Sequence, residues 1–230
     1  MTIELCPPQI VQKLVEESFD DLLLKDGFEK VKPLKYVRSR LNEMHDVIKF
    51  KGEHVSLLFT WGLSLKFVPH ITMGVGDIRW HRTARSASMD LIYSGFHRDG
   101  NDRGFRIRTI QGKDALRDDA VTTRDHLLPR ALQFFSTVKH TSDLEALFQR
   151  EEVHNEWGAK LSNLPQVALA YSFYLAKSGQ EQKAALHVRL APTKQRAGRD
   201  PQADSRVVRR GSHFTLPIAM TLTLQALRTP

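Results

Sequence analysis

A change of rhythm near residue 115 constrains this chain more than any other feature. From residue 34 to 110 apolar and polar positions alternate with the period of strands, and from 124 to 190 the apolar positions recur at helical spacing between prolines. Strands followed by helices predict an α+β fold with an antiparallel sheet of about four to six strands, flanked by N-terminal and C-terminal helices. With 41% hydrophobic residues in 230, the chain has enough apolar surface for a substantial core.

The elements follow from local signals. Ile10, Leu14, Val15, Phe19, Leu22 and Leu23 make one helical stripe, with Pro7 and Pro8 ahead of it and Gly27 as its stop. Strands are expected over residues 35–41, 46–51, 54–60 and 62–68, with a turn at Asn42-Glu43, and again over 89–97 and 105–110 around a Gly-rich loop. A helix is expected from Arg124, with Pro129 in its first turn, then a short helix through Leu144 and Phe148, a third from Pro165 to Ser178 and a fourth from Gln182 to Leu190. The aromatic cluster Tyr171, Phe173 and Tyr174 is read as core rather than as a ligand cage.

The net charge of +8 is concentrated in two places. Residues 79–108 carry seven arginines against Asp90, Asp99 and Asp102, and residues 191–213 carry six basic groups against Asp200 and Asp204. Each stretch contributes +4, so the rest of the chain sums to zero. The organisation expected is therefore an α+β domain over 1–190, a basic flexible linker or tail over 191–213 and an apolar segment over 214–230, where Leu216, Ile218, Met220, Leu222 and Leu224 alternate as in an edge strand. Nonspecific contact with nucleic acid through the tail follows from its charge.

Chemistry-bearing motifs are sparse. Cys6 is the single cysteine, and the ten histidines show neither an i,i+4 pair nor HxH, so no cofactor or metal is expected. The loop Arg98 to Gly104 lacks the carboxylate spacing of a calcium site. No catalytic residue is assigned. The candidate binding cluster is Arg79, Trp80, His81, Arg82 and Arg85, joined by His97, Arg106 and Arg108 of the hairpin. Alternation puts Arg106 and Arg108 on one face and Phe105 and Ile107 on the other. Such a face can grip phosphate or carboxylate through planar arginine forks, or serve only as the solvated side of a sheet.

Gly27-Phe28, Tyr36-Val37-Arg38, Val47-Ile48-Lys49-Phe50 and Phe59-Thr60-Trp61-Gly62-Leu63, followed by Leu127-Leu128-Pro129, Ser142-Asp143-Leu144-Glu145 and Leu169-Ala170-Tyr171, resemble a bacterial family catalogued as domain of unknown function four-three-zero-four. The likeness spans about residues 10–190. It implies a helix, an antiparallel sheet and trailing helices, and it brings no catalytic residue with it.

Three classes of function remain. The first is a noncatalytic protein-binding module, in the manner of an immunity or accessory protein of a bacterial toxin system. The second is a nucleic-acid-associated protein using the Arg-rich hairpin and the basic tail, and the third an enzyme whose site is assembled in space, for instance from Glu151, Glu152, His154 and Glu156. The first is the leading expectation. No secretory leader and no apolar run of membrane-spanning length is found, so a cytoplasmic protein without membrane contact is expected, its oligomeric state open.

Overall fold

The computed structural model describes residues 6–41, 43–53, 55–71, 78–80, 82–94, 106–149, 160–162 and 164–185. The tail, the apolar segment 214–230, the Arg98 to Gly104 loop and the Glu151 to Glu156 run lie outside the described residues.

Helix α1 (Pro8–Lys25) buries Val11, Leu14, Val15, Phe19 and Leu23. Leu22, which helical spacing places on the same stripe, is nonetheless 47% exposed near the C-terminal end of the helix. The helix ends in paired bonds from Gly27 N–H to the Leu24 carbonyl and from Phe28 N–H to the Leu23 carbonyl, with Gly27 at φ 83°. That left-handed turn needs glycine, and it directs the chain back along the helix.

The sheet follows. Strands β1 (Glu29–Lys32), β2 (Lys35–Ser39), β3 (Met44–Glu53) and β4 (Ser56–Leu65) form an antiparallel meander. A two-stranded ribbon, β5 (Pro69–Ile71) and β6 (Ile78–Trp80), leaves the C-terminal end of β4. β7 (Leu91–Ser94) pairs with that same half of β4, β8 (Arg106–Arg108) with its N-terminal end, and β9 (Lys160–Ser162) adds outside β7. The sheet order is β1-β2-β3-β4-β7-β9, with β8 as a second partner of β4.

Four expectations are corrected here. The strands expected as the arms of an Arg-rich hairpin, β7 and β8, do not pair with each other: both lie antiparallel to β4 along the edge that β3 leaves open, and so they run in the same direction. The segments expected as two strands, 54–60 and 62–68, are one strand, because every residue from Ser56 to Leu65 pairs with β3 and Gly62 does not interrupt the ladder. β1 and β9 were not expected; β1 carries only Val31 as an apolar residue and β9 is three residues long. Helix α2 spans Lys113–Thr137, starting eleven residues before Arg124, so Pro129 lies in its interior. Leu116, Ala120 and Thr123 extend the buried stripe of Leu127, Ala131 and Phe134 upstream by three turns, and their packing outweighs the missing proline donor. A 3-10 turn (Thr141–Asp143), α3 (Leu144–Gln149) and α4 (Leu164–Lys177) complete the elements, and the chain is helical again at 181–185.

Period-two alternation gives the sheet two different faces. Tyr36, Ile48, Phe50, Phe59, Trp61, Leu63 and Leu65 face α1 and α2 in the main core, where Phe19 packs edge-on against Phe50 at 4.8 Å and stacks on Phe59 at 5.6 Å. On the opposite face Val37 and Val47 make a smaller cluster with Ala87 and Met89 of the segment 82–90, which lies across that part of the sheet. Tyr171 stacks on both Phe148 and Tyr174, and these rings, with Phe173, join the main core, as expected of that aromatic run.

Candidate functional site

The face opposite the helices carries the candidate site. β2 and β3 alternate so that Lys35, Val37 and Ser39 pair directly with Lys49, Val47 and His45. Phe50 points into the helix-side core, and so its neighbours Lys49 and Lys51 point out and are exposed. Lys32 pairs with Lys35 across the β1–β2 turn. Leu34 in that turn adopts φ 56°, unusual for a branched side chain; its N–H donates to Glu16 at 3.3 Å, and its carbonyl accepts from Phe50 N–H at 2.9 Å. These two bonds hold the backbone in the conformation that brings Lys32 beside Lys35.

Lys35 is half-buried, and its Nζ donates to the Ala87 carbonyl at 2.6 Å. Burial, then the like charges of Lys32 and Lys49, pull the Lys35 ammonium down to about 8. Among the described residues, no carboxylate forms an ion pair with Lys32, Lys35, Lys49 or Lys51. Further along, Ser39 Oγ lies 3.1 Å from Nδ1 of the buried His45. Burial foremost, helped by Lys66 and Lys35 and opposed by the Arg82 carbonyl, holds the His45 imidazole below its ordinary pKa.

Acidic groups on the helix side are already engaged. Glu16 and Asp20 of α1 pair with Lys30 at 3.3 and 2.5 Å, and Tyr36 Oη donates to Asp20 at 2.6 Å. The open groove of about 620 Å³ along α1, lined by Glu16, Glu17, Asp20 and Asp21 among others, therefore borders three carboxylates, Glu16, Glu17 and Asp20, that already have lysine partners. Asp46, fully buried, receives Arg38 at 2.9 Å and Arg40 at 2.5 Å. Arg38 also reaches Asp26 at 2.6 Å and lies over the Phe28 ring, while Arg40 donates to the carbonyls of Phe135 and Val138 at the end of α2. This network ties strands to helix ends.

The residues expected as a binding cluster fall into two groups. Arg79 is exposed on β6; Trp80 is half-buried, edge-on to Phe173 at 6.5 Å, with the Arg82 guanidinium 5.2 Å over its ring. Arg85 is exposed on the segment 82–90. Arg106 and Arg108 lie at the opposite end of β4 on the lysine face, with Ile107 fully buried between them. Arg108 bends to Asp119 of α2 with bonds of 3.0 Å from both Nε and Nη2. His81, His97 and Phe105 lie outside the described residues. Among the described residues, no group of three His, Cys, Asp or Glu could hold a metal ion, and no helix is long and apolar enough to cross a membrane.

Sequence reasoning missed the lysines because the +4 carried by residues 32–51 is offset by −4 over residues 1–31, so that the two together sum to zero. The signal was present in Lys49-Phe50-Lys51, where a core aromatic between two lysines fixes their face. No protein-family model matches this chain, and neither does any curated protein or solved structure.

Proposed function

We propose that this chain is a noncatalytic protein-binding module whose working surface is the lysine-bearing face of the sheet, and that its partner presents an acidic surface to it. One observation carries the reading: Lys32, Lys35, Lys49 and Lys51 share one face without a described carboxylate partner, and Lys35 and Lys49 stand directly opposite each other. Like charges directly opposed across strands destabilise a sheet, so the free protein carries a repulsion that an anionic partner relieves. A toxin or other protein with an acidic docking face fits this surface, and an immunity or accessory role is the form of the proposal that a small α+β domain suits by analogy of fold.

The described residues favour a protein over single-stranded nucleic acid. Bases bind sheets by stacking on exposed aromatics. The large apolar residues exposed among the described ones are Leu22, Leu24, Leu41 and Val55, and Trp80 is packed against the core.

The test is charge reversal in the full chain, with Lys32→Glu, Lys49→Glu and Lys51→Glu combined. Poly-L-glutamate and a 20-nucleotide deoxythymidine oligomer serve as probes at moderate salt. The variant is expected to lose at least tenfold in affinity for poly-L-glutamate while the basic tail, common to both proteins, sets the residual. An unchanged affinity for poly-L-glutamate would overturn the reading, and tighter, face-dependent binding of the oligonucleotide would replace it with a nucleic-acid function.

A further inference from the structure

We infer that Lys32, Lys35 and Lys49 together form a subsite for one carboxylate of the partner's acidic surface, an inference that rests on the docking face proposed above. Three observations place the subsite. The β2–β3 register sets Lys35 directly opposite Lys49, and the left-handed Leu34 turn sets Lys32 beside Lys35. Lys35 is half-buried beneath the segment 82–90, with one of its three ammonium donors held by the Ala87 carbonyl, so its Nζ has a fixed position and two donors remaining. Lys32 and Lys49 are exposed on either side of it and supply mobile charges to close over an incoming oxygen. A fixed inner cation between two outer ones suits a small, compact anion. The fully charged side chain of Asp or Glu matches this better than an extended phosphodiester backbone, which needs a row of contacts rather than one focus.

Other charges around Lys35 leave that focus positive. β1 carries Glu29 opposite Val37, two pairs along from the Lys32–Lys35 end of the strand. β3 carries His45, which feels Lys35 as a repulsive charge. The covering segment carries Arg82, Arg85 and Asp90, and Asp90 is buried, accepting from the Leu65 N–H at 2.7 Å.

A carboxylate seated there adds an attractive charge to an ammonium that burial and two lysines now disfavour. Binding must therefore draw a proton onto Lys35 when the free protein is only partly protonated there, which at pH 8 amounts to roughly half a proton per subsite.

The experiment is calorimetric titration of the full chain with poly-L-glutamate at pH 8, repeated in two buffers of different ionisation enthalpy, for the native protein and for Lys35→Arg, Lys35→Met and Lys49→Gln. The native protein is expected to take up roughly half a proton per subsite at pH 8 and almost none at pH 6.5. Lys35→Arg, always charged, should retain affinity within about threefold and abolish the uptake. Lys35→Met should weaken binding at least fivefold, and the exposed Lys49→Gln, which leaves the fold intact, about threefold. Binding without uptake, or uptake unchanged in Lys35→Arg, overturns the subsite and leaves the docking face standing. Absence of poly-L-glutamate binding overturns both. Equal uptake with inorganic phosphate at the same concentration of anion overturns the assignment to carboxylate.

Discussion

Gly62 lies so close to Leu91 that a Cβ at position 62 would sit 1.8 Å from the Leu91 carbonyl oxygen. The contact is backbone to backbone between β4 and β7, and no side-chain rotation relieves it. Gly62→Ala should therefore cost about 3 kcal/mol or more, by pushing β7 and the segment 82–90 off the sheet. Urea denaturation measures it; a loss under 1 kcal/mol would show that β7 is not seated as described.

Asp46 holds two guanidinium groups in a site it could not occupy alone. Removing the carboxylate in Asp46→Ala strands Arg38 and Arg40 against the core, which should cost about 3–5 kcal/mol. Arg40→Ala also releases the Phe135 and Val138 carbonyls at the end of α2. In a double-mutant cycle the two losses should be far from additive, the double variant being much less damaged than their sum. Additive losses would mean that the pair acts through separate contacts.

The strand phase of β8 gives a contrast within three residues. Ile107→Ala should cost about 2–4 kcal/mol, since Ile107 is fully buried. Arg108→Ala, half-exposed and paired with Asp119, should cost about 1 kcal/mol or less. Burial pushes the Asp119 carboxyl up, but hydrogen bonds from the Arg108 side chain and N–H and from Gln111 more than offset it, leaving it below the ordinary range. The stability from this pair is therefore present above the unfolded carboxylate pKa, roughly 4, and lost as pH falls through the depressed folded value. Thermal melts of native protein and Arg108→Ala should accordingly differ at pH 7 and converge in acid.

The order of strands before helices, the exit of α1 at Gly27 and the inward face of Phe50, Phe59 and Ile107 were legible because each rests on signals within a few residues. The length of α2 was not, since Pro129 reads locally as a start, and only the packing of Leu116 and Ala120 against distant strands shows the helix running through it. The lysine site was legible residue by residue but not as a site. A turn placed at Asn42-Glu43 leaves the β2–β3 register open by one residue, and one residue decides whether Lys35 meets Lys49 or a position on the other face. The arginine cluster of residues 79–108 looked continuous in sequence, yet β6 pairs with β5 in the ribbon that follows the C-terminal end of β4 while β8 pairs with the N-terminal end of β4, which divides it.

Lys35 makes a last prediction, about pH and the free protein. Its folded pKa of about 8 lies below the ordinary 10.5, so between those values the folded chain binds fewer protons than the unfolded one. Stability then rises with pH across that window, and below pH 8 the protein carries the full penalty of a charged Lys35. A shift of this size would correspond to ~3.4 kcal/mol for a fully sequestered group, and the partial solvent access of Lys35 reduces it to about 1–2 kcal/mol. Replacing the ammonium by an apolar chain of similar length in Lys35→Met should therefore stabilise the protein at pH 7 by about that amount. The advantage should shrink as pH climbs toward 10, where native Lys35 is neutral. Above pH 10 the Tyr36 phenol acts with the opposite sign, because burial first, and then its hydrogen bond to Asp20, hold its pKa above the ordinary value. Comparing the two proteins at each pH cancels that contribution. Denaturation series at pH 7, 8, 9 and 10 decide the matter: a Lys35→Met variant that is less stable than the native protein at pH 7, or a difference that does not change with pH, would show that Lys49, Lys32 and burial do not strain Lys35.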